Sequence, residues 1–347
     1  MYKSLKIFTL HLLKYSGIFA FAKYYYRNRP RIICYHGFNI EDEAAFIPGT
    51  FIKAETFKKR IELLKNIGSE FIPLEDIIKS HKLPSLPVIL TFDDGFVSTL
   101  TEGLPILEEN QIPATLYVTT YYHLKQNPIF RLHFNYLTWK ATSLRVNSEQ
   151  FSQELPVKGE IDLGLSRLKW QIIKEFEQNR SEQERSLLLK ELEAALKVSL
   201  SSSQRKKSFT IANAEELKDA QKRRLDLQLH THRHVLPLDK ESCKKEINEN
   251  REILKEFTKE DLVHFCYPSG IYDRRQFPWL EEAGVLTATT LVPGIVKKDS
   301  HLLELPRILD NEQLSSIQFE AEVCGVGDFL RALKAPFSKT GPSTSAT

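Results

Sequence analysis

From Arg31 onward the chain alternates short apolar runs with amphipathic stretches. "RIICYH" reads as a buried strand. "ETFKKRIELLKNIG" places Phe57, Ile61 and Leu64 on one face of a helix that Gly68 would stop. "LPVILTFDDG" is an unbroken apolar run ending in two acids, as expected of a parallel strand covered on both faces. "ATLYVTT", "LDLQLH", "LVHFCYP" and "GVLTATTL" repeat the strand pattern, and the helix "DKESCKKEINENREILKEF" separates the second of these from the third. Repeated strand–helix units imply a parallel sheet or barrel, an α/β fold.

Two stretches depart from that rhythm. Between Thr120 and Leu225, Leu165, Leu168, Ile172 and Phe176 recur at helical spacing, ahead of Leu188, Leu192 and Leu196. Ser181 with Glu184, and Asn213 with Glu216, have the spacing of capping boxes, so residues 121–225 are expected to be a mostly helical insertion. Residues 1–30 carry Leu5, Phe8, Leu12, Tyr15 and Phe19 at helical spacing, with Lys3, Lys6, Lys14 and Lys23 around them. That pattern suits an amphipathic helix docked on the domain or making peripheral contact with a membrane surface. The segment starts basic and contains "AFA", both features of an export signal. His11 and Lys14 interrupt its apolar core, and no run reaches the roughly 18 residues of a spanning helix. A cytoplasmic or membrane-peripheral location is therefore expected. The Ser/Thr-rich tail, residues 331–347, is expected to be disordered.

Composition narrows the field. A chain of 347 residues, 41% hydrophobic, can bury one large α/β core over residues 31–330. Lys and Arg total 48 against 45 Asp and Glu, a balance that gives no case for a nucleic-acid partner. Cysteines 34, 243, 266 and 324 show no paired spacing, which argues against a disulfide framework and for a reducing compartment.

Parallel α/β folds place their chemistry at the carboxyl ends of the strands. Those ends are His36, the pair Asp93–Asp94, His230 and the segment "YPSG". "LHTHRH" sets His230 and His234 four residues apart, with His232 between them directed away if the strand persists through Thr231 and freed if a loop begins there. Two imidazoles and a carboxylate form a sound ligand set for a catalytic divalent metal with open positions.

With these motifs the chain resembles the polysaccharide deacetylase family, also called the NodB-homology or carbohydrate esterase family four domain. "TFDDG", "HTHRH" and "YPSG" match its three motifs in order, supported by "QIPATLYV" and by "LPRI" at Leu305–Ile308. The likeness covers roughly residues 31–120 and 226–310. It implies a distorted (β/α) barrel with a helical insertion, in which Asp94, His230 and His234 hold a divalent metal. Zinc is the first expectation, with cobalt or nickel as alternatives. It further implies that Asp93 is the general base, and the physics agrees: a ligated Asp94 is neutralised, leaving Asp93 free to accept a proton.

The pattern departs from the family twice. Cys266 stands where an Arg usually orients the base, and Arg307 in "LPRI" is the candidate substitute. No Leu-x-His motif follows to supply the general acid. In circularly permuted members the histidine strand comes first, and His36 in "IICYH" fits that arrangement; His264 and His301 are the next donors in line. Tyr267, Pro268, Ser269 and Gly270 are expected at the substrate, and Tyr35 and Tyr267 could stack on sugar rings. The resemblance thus implies a hydrolase removing N-acetyl groups from a polysaccharide or lipid-linked saccharide in cell-surface or exopolysaccharide metabolism. A non-catalytic saccharide-binding protein on the same fold, or a deformylase-like amide hydrolase, would leave the same motifs.

Overall fold

The computed structural model describes residues 2–79, 82–143, 166–196, 198, 200 and 207–334. The strands among them are β1 (Arg31–Tyr35), β2 (Gly37–Phe38), β3 (Phe51–Ile52), β4 (Glu70–Phe71), β5 (Pro87–Phe92), β6 (Ala114–Val118), β7 (Leu225–Leu229), β8 (His264–Cys266), β9 (Thr287–Pro293) and β10 (Leu305–Leu309). Seven of them run in the order β1-β10-β9-β8-β7-β6-β5, and β5 pairs back onto β1. The result is a closed barrel of parallel strands. β4 pairs with the first residues of β5, below the stretch of β5 that β6 occupies.

Barrel strands β1, β5, β6 and β8 are buried at every position, which is why they read as continuous apolar runs rather than as alternation. β10 escaped that reading because Pro306 and Arg307 break its apolar run. The insertion between β6 and β7 is helical where described, with helices Thr120–Lys125, Phe130–Ser143, Ser166–Asn179, Glu182–Leu196 and Ala214–Lys222. Ile172, Phe176, Leu188 and Leu192 are buried as their spacing predicts. Both expected capping boxes form, at Ser181/Glu184 and at Asn213/Glu216. Leu165 and most of the "SSSQRKK" loop lie outside the described residues.

The amino-terminal segment docks on the domain, but through a face other than the expected stripe. Residues 2–25 form two helices, Tyr2–Tyr15 and Ile18–Tyr25, bent by 74° at Gly17, whose φ of 85° requires the left-handed region that glycine enters freely. Of the predicted stripe only Phe19 is buried; Leu5, Phe8, Leu12 and Tyr15 face outward. The docked face is instead Leu10, Phe19 and Ala22, packed on Ile317, Ala321, Cys324 and Val326. The first helix is apolar on two sides, so its periodicity had two solutions, and packing chose the other one. At the far end, helix Val326–Lys334 carries ordered chain past the expected tail boundary, and residues 335–347 lie outside the described set.

Candidate metal centre and active site

Register brings the site together. Tyr35 of β1 pairs with Phe92 of β5, so His36 and Asp93 follow at the same level on neighbouring strands. Within β5 the two-residue period points Thr91 and Asp93 the same way, into the barrel, where both meet Arg307. Continued alternation would send Asp94 to the opposite face. A φ of 71° turns the chain there, and Gly95, at φ 89°, completes the turn against Val118, which leaves little room for a Cβ. Thr231, His234 and Ser269 also take positive φ. These residues all lie at the barrel mouth, and such strain persists only where surrounding structure imposes it.

Asp93 is buried and gripped by Arg307 of β10. Nη1 donates to Oδ1 and Nη2 to Oδ2, both at 2.7 Å. The guanidinium is buried as well, and its Nε donates to the Thr290 carbonyl at 2.9 Å. Cys266 Sγ and Cys34 Sγ lie 3.3 Å and 3.5 Å from Oδ2. Burial works to raise the Asp93 carboxyl, but Arg307 outweighs it, His36 and His230 add to the effect, and the group stays well below the usual carboxylate range. Arg307 therefore lies against Asp93, the position anticipated for it, with the thiol of Cys266 packed beside it. His36 Nε2 lies 3.8 Å from Asp93 Oδ2, with its side chain about a quarter exposed to the mouth.

On the other side of the turn, Nε2 of His230 and Nε2 of His234 each stand 3.2 Å from Asp94 Oδ1. That oxygen is buried and has no hydrogen-bond partner among the described residues. His230 Nδ1 is 2.8 Å from the Cys266 carbonyl, which can only accept, so Nδ1 carries a hydrogen and Nε2 of the neutral ring presents a lone pair. Lone pairs and a carboxylate oxygen converging on one point fit a divalent cation. Two other clusters of possible ligands include Asp93, but Arg307 already holds both of its oxygens. Burial tends to raise the Asp94 carboxyl, yet the two imidazoles hold it well below its usual range.

The sequence reading missed the groups that hold this loop. Asn250 Oδ1 accepts from His230 N at 2.9 Å, while its Nδ2 donates to the Val118 carbonyl. Glu246 accepts from the Arg233 backbone and guanidinium, both at 2.7 Å. A signal existed, since Asn250 lies on the buried face of helix Lys240–Leu254 with Cys243, Ile247 and Leu254. His232 turns away onto Thr120, although the strand ends at Leu229 and Thr231 takes a positive φ, so it is held by this contact and not by strand alternation.

Residues 81–182 and 189–288 match the polysaccharide deacetylase family. The chain belongs to that family. Its members are metal-dependent, amide-hydrolysing deacetylases. The match takes in more of the insertion than the motifs alone suggested, and it leaves out β1 and β10. His36 and Arg307 are thus joined to the family motifs by the barrel itself.

Among curated proteins, the poly-beta-1,6-N-acetyl-D-glucosamine N-deacetylase of Escherichia coli K12 is 34% identical over 80 residues, covering 22% of this chain and 12% of that protein. Among solved structures, the deacetylase PplD of Streptococcus pyogenes, in complex with acetate, aligns with 86% of this chain and 99% of its own at 15% identity and a TM-score of 0.55. IcaB from Ammonifex degensii aligns with 86% and 98% at 16% identity and a TM-score of 0.53. These two structures share the fold of this chain.

Four expected substrate contacts fare differently. Tyr267 is buried, stacks on Tyr272 and donates its hydroxyl to the Leu303 carbonyl, so it is core and not a sugar platform. Tyr35 is core for the same reason, its hydroxyl donating to Asp310. Pro268 is buried, whereas Ser269 is exposed and Gly270 partly so. His264 opens β8, at the amino-terminal end of the barrel away from the mouth, and bonds Thr287; His301 stacks on Phe277.

Proposed function

We propose that this polysaccharide deacetylase removes N-acetyl groups from a saccharide, polymeric or lipid-linked, with Asp94, His230 and His234 holding a divalent cation, zinc first among the candidates. The convergence of those three ligand atoms beside the Asp93–Arg307 pair carries the reading. The resemblance to the Escherichia coli enzyme supports an N-acetylglucosamine polymer and a place in cell-surface or exopolysaccharide metabolism.

When bound, the cation supplies a Lewis acid that polarises the acyl oxygen and acidifies water. The protein's own groups do the rest. Asp93, ionised at every working pH, takes the proton of the water that adds to the acyl carbon. Its low basicity is tolerable because that water is acidified. Arg307 keeps the carboxylate plane fixed through attack, so little reorganisation accompanies the step. The carbon–nitrogen bond then breaks, and His36 delivers a proton to the departing nitrogen, which would otherwise leave as a strongly basic anion. Acetate and a free amine result. Ser269, at the rim, is the remaining residue of its motif placed to meet the sugar.

Incubating metal-loaded protein with N-acetylglucosamine oligomers should release acetate. Chelation should abolish the release, and Asp93→Asn should slow it about a hundredfold or more while metal content survives. No acetate from loaded wild-type protein would reject the acyl group assigned here. Activity in the Asp93 variant equal to wild type would reject the base.

A further inference from the structure

The two amino-terminal helices have a face that the barrel does not use. Leu10, Phe19 and Ala22 are buried on helix Ser316–Cys324, and Lys14 Nζ bonds Glu320 at 2.7 Å, so the pair is fixed to the domain. The opposite side shows Leu5, Phe8, Leu12, Tyr15, Phe21, Tyr24 and Tyr25, each more than half exposed. Large apolar residues gathered this way, rather than scattered singly, mark a contact surface. Phe21 extends the patch to Phe329 of the last helix, at a ring separation of 6.0 Å.

Charge narrows the partner. Residues 1–30 contain Lys3, Lys6, Lys14, Lys23, Arg27 and Arg29 and no acid, and the first acidic residue of the chain is Glu41. Apart from Lys14, which pairs with Glu320, these cations accompany leucine and aromatic side chains, the composition of a helix that lies at a lipid headgroup boundary. No single helix here is long and apolar enough to cross a bilayer; only the bent pair together reaches that composition. The bend instead lets both helices lie along one surface while their other sides stay on the barrel.

We infer that residues 5–25 dock this domain on an anionic lipid surface. Position adds a consequence. The second helix runs into Arg31, the first residue of β1, whose guanidinium bonds the Tyr26 and Val323 carbonyls. The lipid-facing surface is therefore on the flank and base of the barrel, and the mouth holding His36, Asp93 and Asp94 stays open to water.

Flotation of the full-length protein with vesicles tests this. Phosphatidylcholine vesicles containing phosphatidylglycerol should carry the protein, pure phosphatidylcholine should carry much less, and raised salt should weaken the attachment. Phe8→Ser, Leu12→Ser and Tyr15→Ser combined should lower binding by about tenfold or more. Because these side chains are exposed, the melting temperature should not move. Leu10→Ala, on the docked face, should lower the melting temperature instead. Equal flotation of the triple variant and wild type, or no flotation on anionic vesicles, overturns the inference. A concentration-dependent dimer abolished by the triple variant would assign the face to a second copy. Retention on the membrane through alkaline extraction would mean that the pair crosses it. Either result rejects surface docking.

Discussion

At the floor of the mouth, Asp93 faces a cation that belongs to the chain, Arg307, with both oxygens held at 2.7 Å. At the rim, one residue later, Asp94 faces two imidazoles and keeps an oxygen without a hydrogen bond among the described residues. Each carboxylate is held ionised by its surroundings, but the floor does so with a covalently fixed charge and the rim with neutralisable bases. A fixed cation gives constant orientation and cannot exchange. A rim of lone pairs is weak until an external cation arrives. Two like charges are thus placed side by side without mutual cost, because each has its own source of positive charge.

Arg307→Met separates floor from rim by the largest expected effect. Removing one partner of a buried pair leaves the other uncompensated, and the fold should lose about 3–5 kcal/mol in urea unfolding. The sign with pH follows from the Asp93 shift. A depressed folded value contributes stability above the unfolded carboxylate value and loses it as pH falls through the folded one. Without Arg307 the depression disappears, so acid unfolding should begin at higher pH, while metal binding at the rim stays intact. Wild-type stability in this variant would mean that the floor pair is ornamental.

His230→Ala and His234→Ala address the rim alone. Metal affinity should fall by more than the roughly hundredfold that losing a hydrogen bond to a ligand costs. Elemental analysis after dialysis reads this directly, and full occupancy in both variants would move the metal elsewhere. The Asp93–Arg307 grip should survive, so neither variant should show the acid sensitivity of Arg307→Met.

How much of this arrangement the sequence displayed depends on what each residue's signal was. Six of the seven barrel strands announce themselves locally, β7 by the alternation of "LDLQL" and the others by their apolar, β-branched runs, and the rim ligands sit in compact motifs that need no fold to be seen. The floor is different, because its parts come from β1, β5, β8 and β10, more than two hundred residues apart, and only barrel closure joins them. Arg307 in "LPRI" could be set against Asp93 only through the family resemblance, since nothing local distinguishes a buried bidentate arginine from a surface one. Tyr267 misled for the converse reason: an aromatic beside a catalytic motif looks the same whether it faces sugar or core. The helix at residues 2–15 carries apolar side chains on two faces, and only packing tells which of them docks on the domain.

His36 stands between the two regions, against the floor carboxylate and open to the mouth. His36→Ala should leave metal content unchanged and slow amide hydrolysis about a hundredfold. An activated ester should lose much less, because its leaving group departs without a proton. Equal losses on both substrates, measured with loaded protein, would reject the donor role and leave His36 as a positioning residue for Asp93.

The smallest effect examines how the rim neutralises itself when no metal is bound. Burial pulls the His230 imidazole down, but Cys266, Asp94 and Asp93 around it outweigh burial and leave it well above the ordinary histidine value. Burial dominates at His234, which is lowered despite its contact with Asp94. The expected outcome at neutral pH is a metal-free rim with one proton on His230 Nε2, because Nδ1 is already committed to the Cys266 carbonyl. A cation must displace that proton to reach the lone pair. Adding zinc to metal-free protein in weak buffer should release about one proton per ion bound, and affinity should rise about tenfold per pH unit until His230 titrates. His230→Ala should abolish the release, whereas His234→Ala should not, since its ring is already neutral. The same proton is worth stability to the metal-free fold below the unfolded histidine value, and it is lost as pH rises through the higher folded one. Loaded protein should show the opposite trend, gaining stability with pH. Zinc uptake without proton release, or with an affinity indifferent to pH, would mean that the rim stands deprotonated on its own, and the contrast with the floor would then lie in geometry alone.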